Sequence, residues 1–279
     1  MGVLMTGPIK TFGGKHYLAR KISGLFPPHT HYVEPYAGGL SVLLAQDPEG
    51  RSEVVNDING GLINFWRVLQ SNAHYCEFQR IIEAVPFSQD EWLNATAWLN
   101  ADGCKEGACV VWAVNYFIAC RQSLSGRMRN FSALSKTRTR RGMNEQVASW
   151  LSAVDGLADV HARLQRVVIY NMEALDVISR EDSSDTLFYL DPPYMAQTRR
   201  SPDVYDDEMT NEQHQRLLET IILARGKVAI SGYHCELYDA MLKHWHCTEW
   251  EIPNHASHTD KKRVMTECVW TNFPVERKP

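Results

Sequence analysis

Several absences in this chain narrow the classes of protein to which it can belong. No apolar run reaches about 18 residues, so we expect no transmembrane helix. The segment Met1 to Ile9 lacks the apolar core of a secretory signal peptide. None of the seven cysteines forms a Cys-x-x-Cys pair, and their number is odd, which favours reduced thiols over a disulfide framework. Together these absences predict a cytoplasmic protein.

The chain also lacks the glycine fingerprint of dinucleotide-binding folds. Gly38 and Gly39 do not form Gly-x-Gly-x-x-Gly, so a dehydrogenase is the least favoured enzyme class. Histidines cluster at 244–246 and at 255–258, but no further ligands stand at a metal-binding spacing. We therefore expect surface histidines and no metal site.

The chain has no net positive charge, since its formal net charge is −4, and this does not indicate a bulk nucleic-acid binder. The segment 121–141 is the exception, since it contains no Asp or Glu. Its basic residues are Arg121, Arg127, Arg129, Lys136, Arg138, Arg140 and Arg141. Arginine interspersed with small polar residues is typical of phosphate contacts, so we predict DNA binding here. A solvated charged face is the alternative reading of the same composition.

The most informative stretch ends in Asp-Pro-Pro-Tyr. Leu187 to Leu190 are apolar without alternation, which predicts a buried parallel strand. Pro192 and Pro193 cannot continue the sheet, so Asp191 and Tyr194 lie at the strand's carboxyl end, where open α/β sheets bind ligands. A carboxylate and a backbone carbonyl can accept both hydrogens of a base's amine, and an aromatic ring offers a stacking face. A plain proline turn is the alternative.

A second stretch, from Tyr32 to Leu44, predicts a strand, a glycine turn and a helix. The following strand ends at Asp57, 19 residues after Gly38. That spacing suits an acid that binds ribose hydroxyls, and the nearby carboxylates tolerate a positive sulfonium. An adenosine cofactor without phosphates therefore fits better than a dinucleotide, and an ordinary βαβ unit is the alternative.

A third element, Lys10-Thr11-Phe12-Gly13-Gly14-Lys15, precedes the first strand. In this order the three elements resemble those of the Dam-like DNA adenine-N6 methyltransferases of the α class, the D12 type, and point to a phage-type or prophage-type member. That family carries Lys-Trp-x-Gly-Gly-Lys, a Glu-Pro-Phe/Tyr-x-Gly-like turn, an acid after the second strand, and Asp-Pro-Pro-Tyr. Thr11 replaces the family's tryptophan, and Asn171-Met172 replaces its Asp-Phe pair.

The resemblance implies an α/β fold: a Rossmann-like S-adenosylmethionine-dependent methyltransferase fold with a mostly helical inserted target-recognition domain. Residues 1–61 and 161–279 would form the catalytic domain, and 62–160 the insertion. The cofactor would be S-adenosylmethionine and the partner double-stranded DNA, with a monomer favoured. The implied reaction is site-specific methylation of N6 on a flipped-out adenine. Cytosine-N4 methylation, or a catalytically weak DNA-binding protein of the same fold, are the alternatives.

The resemblance also assigns residues to roles. Asp191 would orient the amine rather than act as a strong base. The target adenine would be held by Asp191, Pro192, Pro193 and Tyr194. The cofactor would be bound by Thr11, Phe12, Lys15, Glu34, Pro35, Ala37, Gly38, Gly39, Asp57, Ile58, Asn171, Met172 and Asp191.

Strand and helix patterns alternate along the second half of the chain. We expect strands at 167–170, 186–190, 227–231 and 246–252, and a final antiparallel strand between Arg263 and Phe273. Helices are expected at 173–180, 210–225 and 235–244. Within the insertion, we expect a buried helix at 110–118, whose residues are apolar on all sides, and a single helix at about 145–164.

Overall fold

The computed structural model describes residues 5–10, 14–101, 107–195, 208–253 and 264–275. Its strands are β1 His31–Glu34, β2 Ser52–Asn56, β3 Thr139–Arg140, β4 Met143–Asn144, β5 Val167–Tyr170, β6 Thr186–Leu190, β7 Lys227–Gly232, β8 His246–Pro253 and β9 Val264–Thr271. Strands β3 and β4 form a separate hairpin, and the others form a seven-stranded sheet with the order β5-β2-β1-β6-β7-β9-β8.

The sheet is parallel at its centre and antiparallel at one end. Strand β1 pairs in parallel with both β2 and β6, and β6 pairs in parallel with β7. Strand β9 runs antiparallel between β7 and β8. Every residue of β6 is buried, as the unbroken apolar run predicted. The strand order reverses between β1 and β6, and open α/β sheets bind ligands at the carboxyl ends of strands at such a point.

The helices are α1 Ala19–Ser23, α2 Ser41–Leu44, α3 Gly60–Gln70, α4 Asn72–Glu83, α5 Gln89–Asn100, α6 Val110–Arg121, α7 Glu145–Asp155, α8 Leu157–Leu164, α9 Ala174–Glu181, α10 Asn211–Leu223 and α11 Glu236–Met241. The expected single helix at 145–164 is wrong, because Gly156 divides it into α7 and α8. Glycine is a poor interior helix residue, and here it caps α7.

Helix α6 contains the segment that we expected to form a buried helix. It packs against α3, α4 and α5, and Phe117 is completely buried. Val111, however, is 50% exposed. The expected helix is therefore present and mostly buried, and Val111 is an apolar side chain that the packing leaves exposed. None of the helices among the described residues has the length and apolar character needed to cross a membrane.

Backbone packing divides the chain into two compact units. Unit 1 consists of Met1–Ser23, Gly38–Pro48 and Asp57–Asn171, and unit 2 of Gly24–Ala37, Glu49–Asn56 and Met172–Pro279. The division falls inside three of the predicted cofactor-binding elements, directly before Gly38, directly before Asp57 and directly after Asn171. Whether 62–160 acts as the target-recognition domain stays a prediction.

Candidate active site

Two of the predicted site acids lie at the same edge of the sheet in unit 2. Asp191 follows β6 directly, and Glu34 is the last residue of β1, its parallel neighbour. The register sets Val33 beside Phe188, so both carboxylates belong to the carboxyl ends of these strands. This is the point at which the strand order reverses, where the sequence predicted ligand binding.

Glu34 is held by its own strand. Its side chain is 2% exposed, and its Oε1 accepts a hydrogen bond of 2.5 Å from the hydroxyl of Tyr32. Burial raises the pKa of Tyr32 well above its ordinary value, and the charge of Glu34 raises it further. Tyr32 therefore stays protonated at neutral pH and acts as a hydrogen-bond donor that positions the carboxylate.

Tyr194 is packed more tightly than its predicted stacking role suggests. Its side chain is 7% exposed, and its hydroxyl donates to Oε1 of Glu267, which is itself buried. Its ring lies edge-on to Tyr233, with centroids 4.7 Å apart. A cavity of about 10 Å³ adjoins it, close to the volume of one water molecule. The cavity is lined by Tyr194, Met195, Gly232, Tyr233, Cys235 and Tyr238. The stacking role of Tyr194 stays a prediction.

Two buried phenol groups lie within electrostatic reach of the Asp191 carboxylate. Burial raises the pKa of both Tyr189 and Tyr194 well above the ordinary value, and the negative charge of Asp191 is the next largest cause. Tyr189 also exchanges a hydrogen bond of 2.9 Å with the hydroxyl of Ser231. Both phenols are therefore neutral at physiological pH, whereas the side chain of Asp191 carries carboxylate oxygens, which are acceptors of the kind that an amine needs.

Asn56 organises the strand ends of unit 2, although its sequence position did not mark it as a site residue. It is 1% exposed. Its Nδ2 donates to the carbonyls of Pro35 and Met172, at 3.0 Å each, and its Oδ1 accepts from the Met172 N–H at 3.0 Å. One side chain thus fixes the backbone of two predicted cofactor residues. The sequence signal that could have identified Asn56 is its position, because a polar side chain there directly follows the apolar residues Val54 and Val55.

The glycine turn of unit 1 is hydrogen-bonded to Asp57, the acid for which ribose binding stays a prediction. The N–H of Gly38 donates to Oδ2 of Asp57 at 3.0 Å, and the N–H of Asn59 donates to Oδ1 at 3.0 Å. The carbonyl of Gly38 accepts from the indole N–H of Trp66 at 3.2 Å, a contact that the sequence did not indicate. The turn and the acid are therefore a single hydrogen-bonded structure.

Backbone strain occurs in the same turn. Gly38 has a φ of +45°, which glycine adopts without penalty. Leu40 has a φ of +57° and is fully buried. A left-handed conformation costs about 1–2 kcal/mol for a residue with a Cβ. Strain of this kind occurs mostly where the surrounding structure holds a backbone in place for function, which is consistent with a ligand-binding turn.

Three further predicted cofactor residues of unit 1 have defined positions. Nδ2 of Asn171 donates to the carbonyls of Asp57 and Ile58, at 2.7 and 3.2 Å, so Asn171 supports the loop that carries the acid. The Ile58 side chain is 49% exposed, and Lys15 is buried at 7% exposed. Two predicted contacts, Thr11 and Phe12, lie outside the described residues.

The chain matches the family model described as D12 class N6 adenine-specific DNA methyltransferase over residues 12–255. The chain belongs to this family. It is therefore an adenine-specific DNA methyltransferase, with DNA as substrate and a methyl donor as cofactor. The mixed seven-stranded sheet agrees with the expected Rossmann-like methyltransferase fold. The expected phage or prophage origin stays a prediction.

Among solved structures, one similar chain is an rRNA methyltransferase, aviRa from Streptomyces viridochromogenes. The sequence identity is 12% and the TM-score is 0.37, with 91% of this chain and 83% of that chain covered. No curated protein matches the chain.

The basic segment of this methyltransferase contains a tight hairpin in unit 1. Strands β3 and β4 are joined by Arg141 and Gly142, whose φ values of +55° and +74° are those of a type I′ turn. Six of the seven predicted DNA-binding side chains are exposed. These are Arg127, Arg129, Lys136, Arg138, Arg140 and Arg141.

Arg121 differs from the other six basic residues. Its guanidinium donates to the backbone carbonyl and the hydroxyl of Ser149, at 2.7 and 3.1 Å. Burial lowers its pKa, as expected for a guanidinium removed from water. This geometry gives Arg121 an internal role in joining α6 to α7, so its predicted DNA contact is the least supported of the set.

Proposed function

We propose that this chain transfers a methyl group from S-adenosylmethionine to N6 of an adenine in DNA, with Asp191 as the residue that orients the amine. One observation carries the proposal. In a chain of the adenine-specific family, Asp-Pro-Pro-Tyr directly follows the central strand β6, beside the carboxyl end of β1. The cytoplasm, where both DNA and the donor are present, is the proposed location.

Asp191 suits the orienting role better than that of a strong base. An ionised carboxylate only accepts hydrogen bonds, so it accepts one amine hydrogen. The carbonyl of a neighbouring proline accepts the other, and the nitrogen lone pair then points away from both. Tyr189 and Tyr194 stay protonated beside this acid, because burial and the charge of Asp191 raise their pKa. The main contribution of such a site to catalysis is to align the amine nitrogen for in-line attack on the methyl group.

In each unit, the predicted cofactor-binding side chains suit a nucleoside that carries a sulfonium. In unit 1, Asp57 carries carboxylate oxygens of the kind that accept hydrogen bonds from ribose hydroxyls, and Ile58 offers an exposed apolar surface to an adenine ring. In unit 2, the buried carboxylate of Glu34 favours a positive charge nearby. Bound S-adenosylmethionine supplies an electrophilic methyl group.

The test replaces Asp191 with Ala and measures methylated adenine in DNA by nucleoside analysis. We expect turnover to fall by at least about 100-fold, as when one positioned transition-state contact is removed, while calorimetry shows nearly unchanged donor binding. Asp185→Ala is the matched control, because Asp185 is an exposed carboxylate at the opposite end of the same strand. A comparable methylation rate in Asp191→Ala would exclude the orienting role, and N4-methylcytosine in the product would exclude adenine as the target.

DNA binding by the basic segment has its own test. The combined change of Arg138, Arg140 and Arg141 to Ala should weaken DNA binding and lower the slope of log affinity against log salt by about 0.9 for each phosphate that the variant no longer neutralises. Arg216→Ala, an exposed arginine on α10, is the control and should leave the slope unchanged. An unchanged slope in the triple variant would show that the hairpin does not contact DNA.

A further inference from the structure

Three side chains of metal-binding type converge in unit 2, outside the site described above. The ligand atoms of His234, Cys247 and Cys268 all lie within 4.8 Å of one another. Cys247 lies on β8 and Cys268 on β9, while His234 precedes α11. We propose that these three residues bind one Zn²⁺ ion. The proposal does not depend on the methyl-transfer function.

The sheet register explains why the two thiols meet. Cys247 pairs with Trp270 across the antiparallel strands β8 and β9. Cys268 pairs with Glu249 in the same register. Alternate residues of a strand point to the same face, so both cysteines and Glu249 share one face of the sheet. The ring of His234 lies edge-on to Trp270 on this face, with centroids 5.5 Å apart.

The imidazole of His234 is already oriented for coordination. Its Nδ1 lies 2.7 Å from Oδ1 of Asp239. A proton on Nδ1 that is donated to this carboxylate leaves the Nε2 lone pair for a metal, and zinc-bound histidines are typically supported by a carboxylate in this way. Nε2 lies 3.4 Å from Oε1 of Glu249. The Glu249 carboxylate therefore lies beside the nitrogen that would bind the metal.

The chemistry of the ligands favours zinc over harder cations. Two thiolates and an imidazole are typical zinc ligands, whereas Mg²⁺ and Ca²⁺ take oxygen ligands. Tetrahedral zinc, with bonds of about 2.3 Å to sulfur and 2.0 Å to nitrogen, separates its ligand atoms by about 3.6–3.8 Å. The upper bound of 4.8 Å therefore requires a contraction of about 1 Å. His234 and Cys247 are exposed and can move toward the buried Cys268.

The three ligands lie far apart in the sequence, which explains why the sequence did not indicate this site. The ligands come from a loop and two different strands, with no Cys-x-x-Cys or His-x-x-x-His spacing. The histidines at 244–246 are not among the three ligands, and the cluster at 255–258 lies outside the described residues. Antiparallel pairing of β8 with β9 brings the two cysteines together.

The experiment measures zinc bound to the purified full chain. The protein is prepared under reducing conditions, incubated with zinc sulfate, desalted and analysed by mass spectrometry for zinc and by amino-acid analysis for protein. We expect about one zinc per chain. His234→Ala and Cys247→Ser should each retain less than about a tenth of this amount. Cys76→Ser is the matched control, since Cys76 is an exposed cysteine of unit 1 and should leave zinc binding unchanged.

Two further measurements test the arrangement of the ligands. Asp239→Asn should weaken zinc binding by about 10- to 100-fold, as loss of the group that orients a ligating histidine does. Cobalt(II) added in place of zinc should produce a thiolate-to-metal charge-transfer absorption that Cys247→Ser abolishes. If Cys247→Ser does not fold, as judged by circular dichroism, Cys247→Ala at the same exposed position takes its place.

Three results would overturn the proposal. The first is a wild-type chain that retains no zinc. The second is zinc retained equally by the folded Cys247 variant, which would place the ion elsewhere. The third is a Cys247–Cys268 disulfide, found by peptide mapping, in protein that fails to bind zinc even after reduction.

Discussion

Replacing Tyr194 with Phe removes one hydroxyl from the wall of the candidate active site. That hydroxyl donates to Glu267, and the two side chains are 7% and 3% exposed. Without the donor, a buried carboxylate loses a hydrogen bond made to its charge. Hydrogen bonds to charged groups contribute about 1.5–3 kcal/mol to stability. We therefore expect Tyr194→Phe to lower the free energy of unfolding by about 2 kcal/mol at neutral pH.

The ring itself is retained in this variant, so its edge-on contact with Tyr233 is preserved. Any decrease in stability then comes from the missing hydroxyl and not from a cavity. Tyr17→Phe is the matched control, because Tyr17 is 75% exposed and its hydroxyl is accessible to water. Its effect should stay within about 0.5 kcal/mol, as is usual for surface substitutions.

The charge of Glu267 provides a second check. In a Glu267→Gln background the acceptor is a neutral amide oxygen, and a neutral hydrogen bond contributes only about 1 kcal/mol. Tyr194→Phe should therefore have a smaller effect in that background, with a coupling energy of about 1 kcal/mol between the two sites.

Urea denaturation, followed by circular dichroism and by tryptophan fluorescence, measures all four chains of this cycle. Coincident transitions from the two probes are required, since the two compact units need not unfold together. The reasoning fails if Tyr194→Phe loses no more stability than Tyr17→Phe, or if its effect is the same in both backgrounds.

Three other substitutions follow from the described contacts. Burial, with a smaller effect of Arg121, lowers the pKa of Lys10 to about 8 from its ordinary 10.5. Between pH 8 and 10.5 the folded chain then binds fewer protons than the unfolded chain, so the free energy of unfolding of the wild type should rise by about 3 kcal/mol as the pH increases. Lys10→Met should abolish this rise, and an equal pH dependence in wild type and variant would contradict the assignment. Asp57→Ala should weaken S-adenosylmethionine binding by at least about 10-fold, or about 1.4 kcal/mol, in calorimetry, with the exposed Asp159→Ala as control. Asn56→Ala leaves buried carbonyls without their donor and should lower the urea midpoint by the equivalent of about 3 kcal/mol; a midpoint unchanged from wild type would refute its role.

Local sequence signals determined the central strands and the predicted ligand-binding turn. Strand β6 was predicted with its observed bounds, because an unbroken apolar run followed by two prolines has few other solutions. The spacing between Gly38 and Asp57 predicted an acid that binds ribose hydroxyls, and this role stays a prediction. The structure joins the two residues by a hydrogen bond. Asp191 at the end of β6 followed from the same local pattern, as did its position at the carboxyl edge of the sheet.

Only the tertiary structure decided which side chains these elements bring into contact. Glu267 reaches Tyr194 across 73 residues of sequence, and Asn56 reaches Met172 across 116. Arg121 was predicted to bind DNA because it belongs to the basic segment, yet its guanidinium donates a hydrogen bond to the carbonyl of Ser149. Periodicity and propensity act over a few residues, whereas such contacts depend on strand order and burial. For this reason the sequence predicted where the strands end, and the packing of distant segments determined which groups meet there.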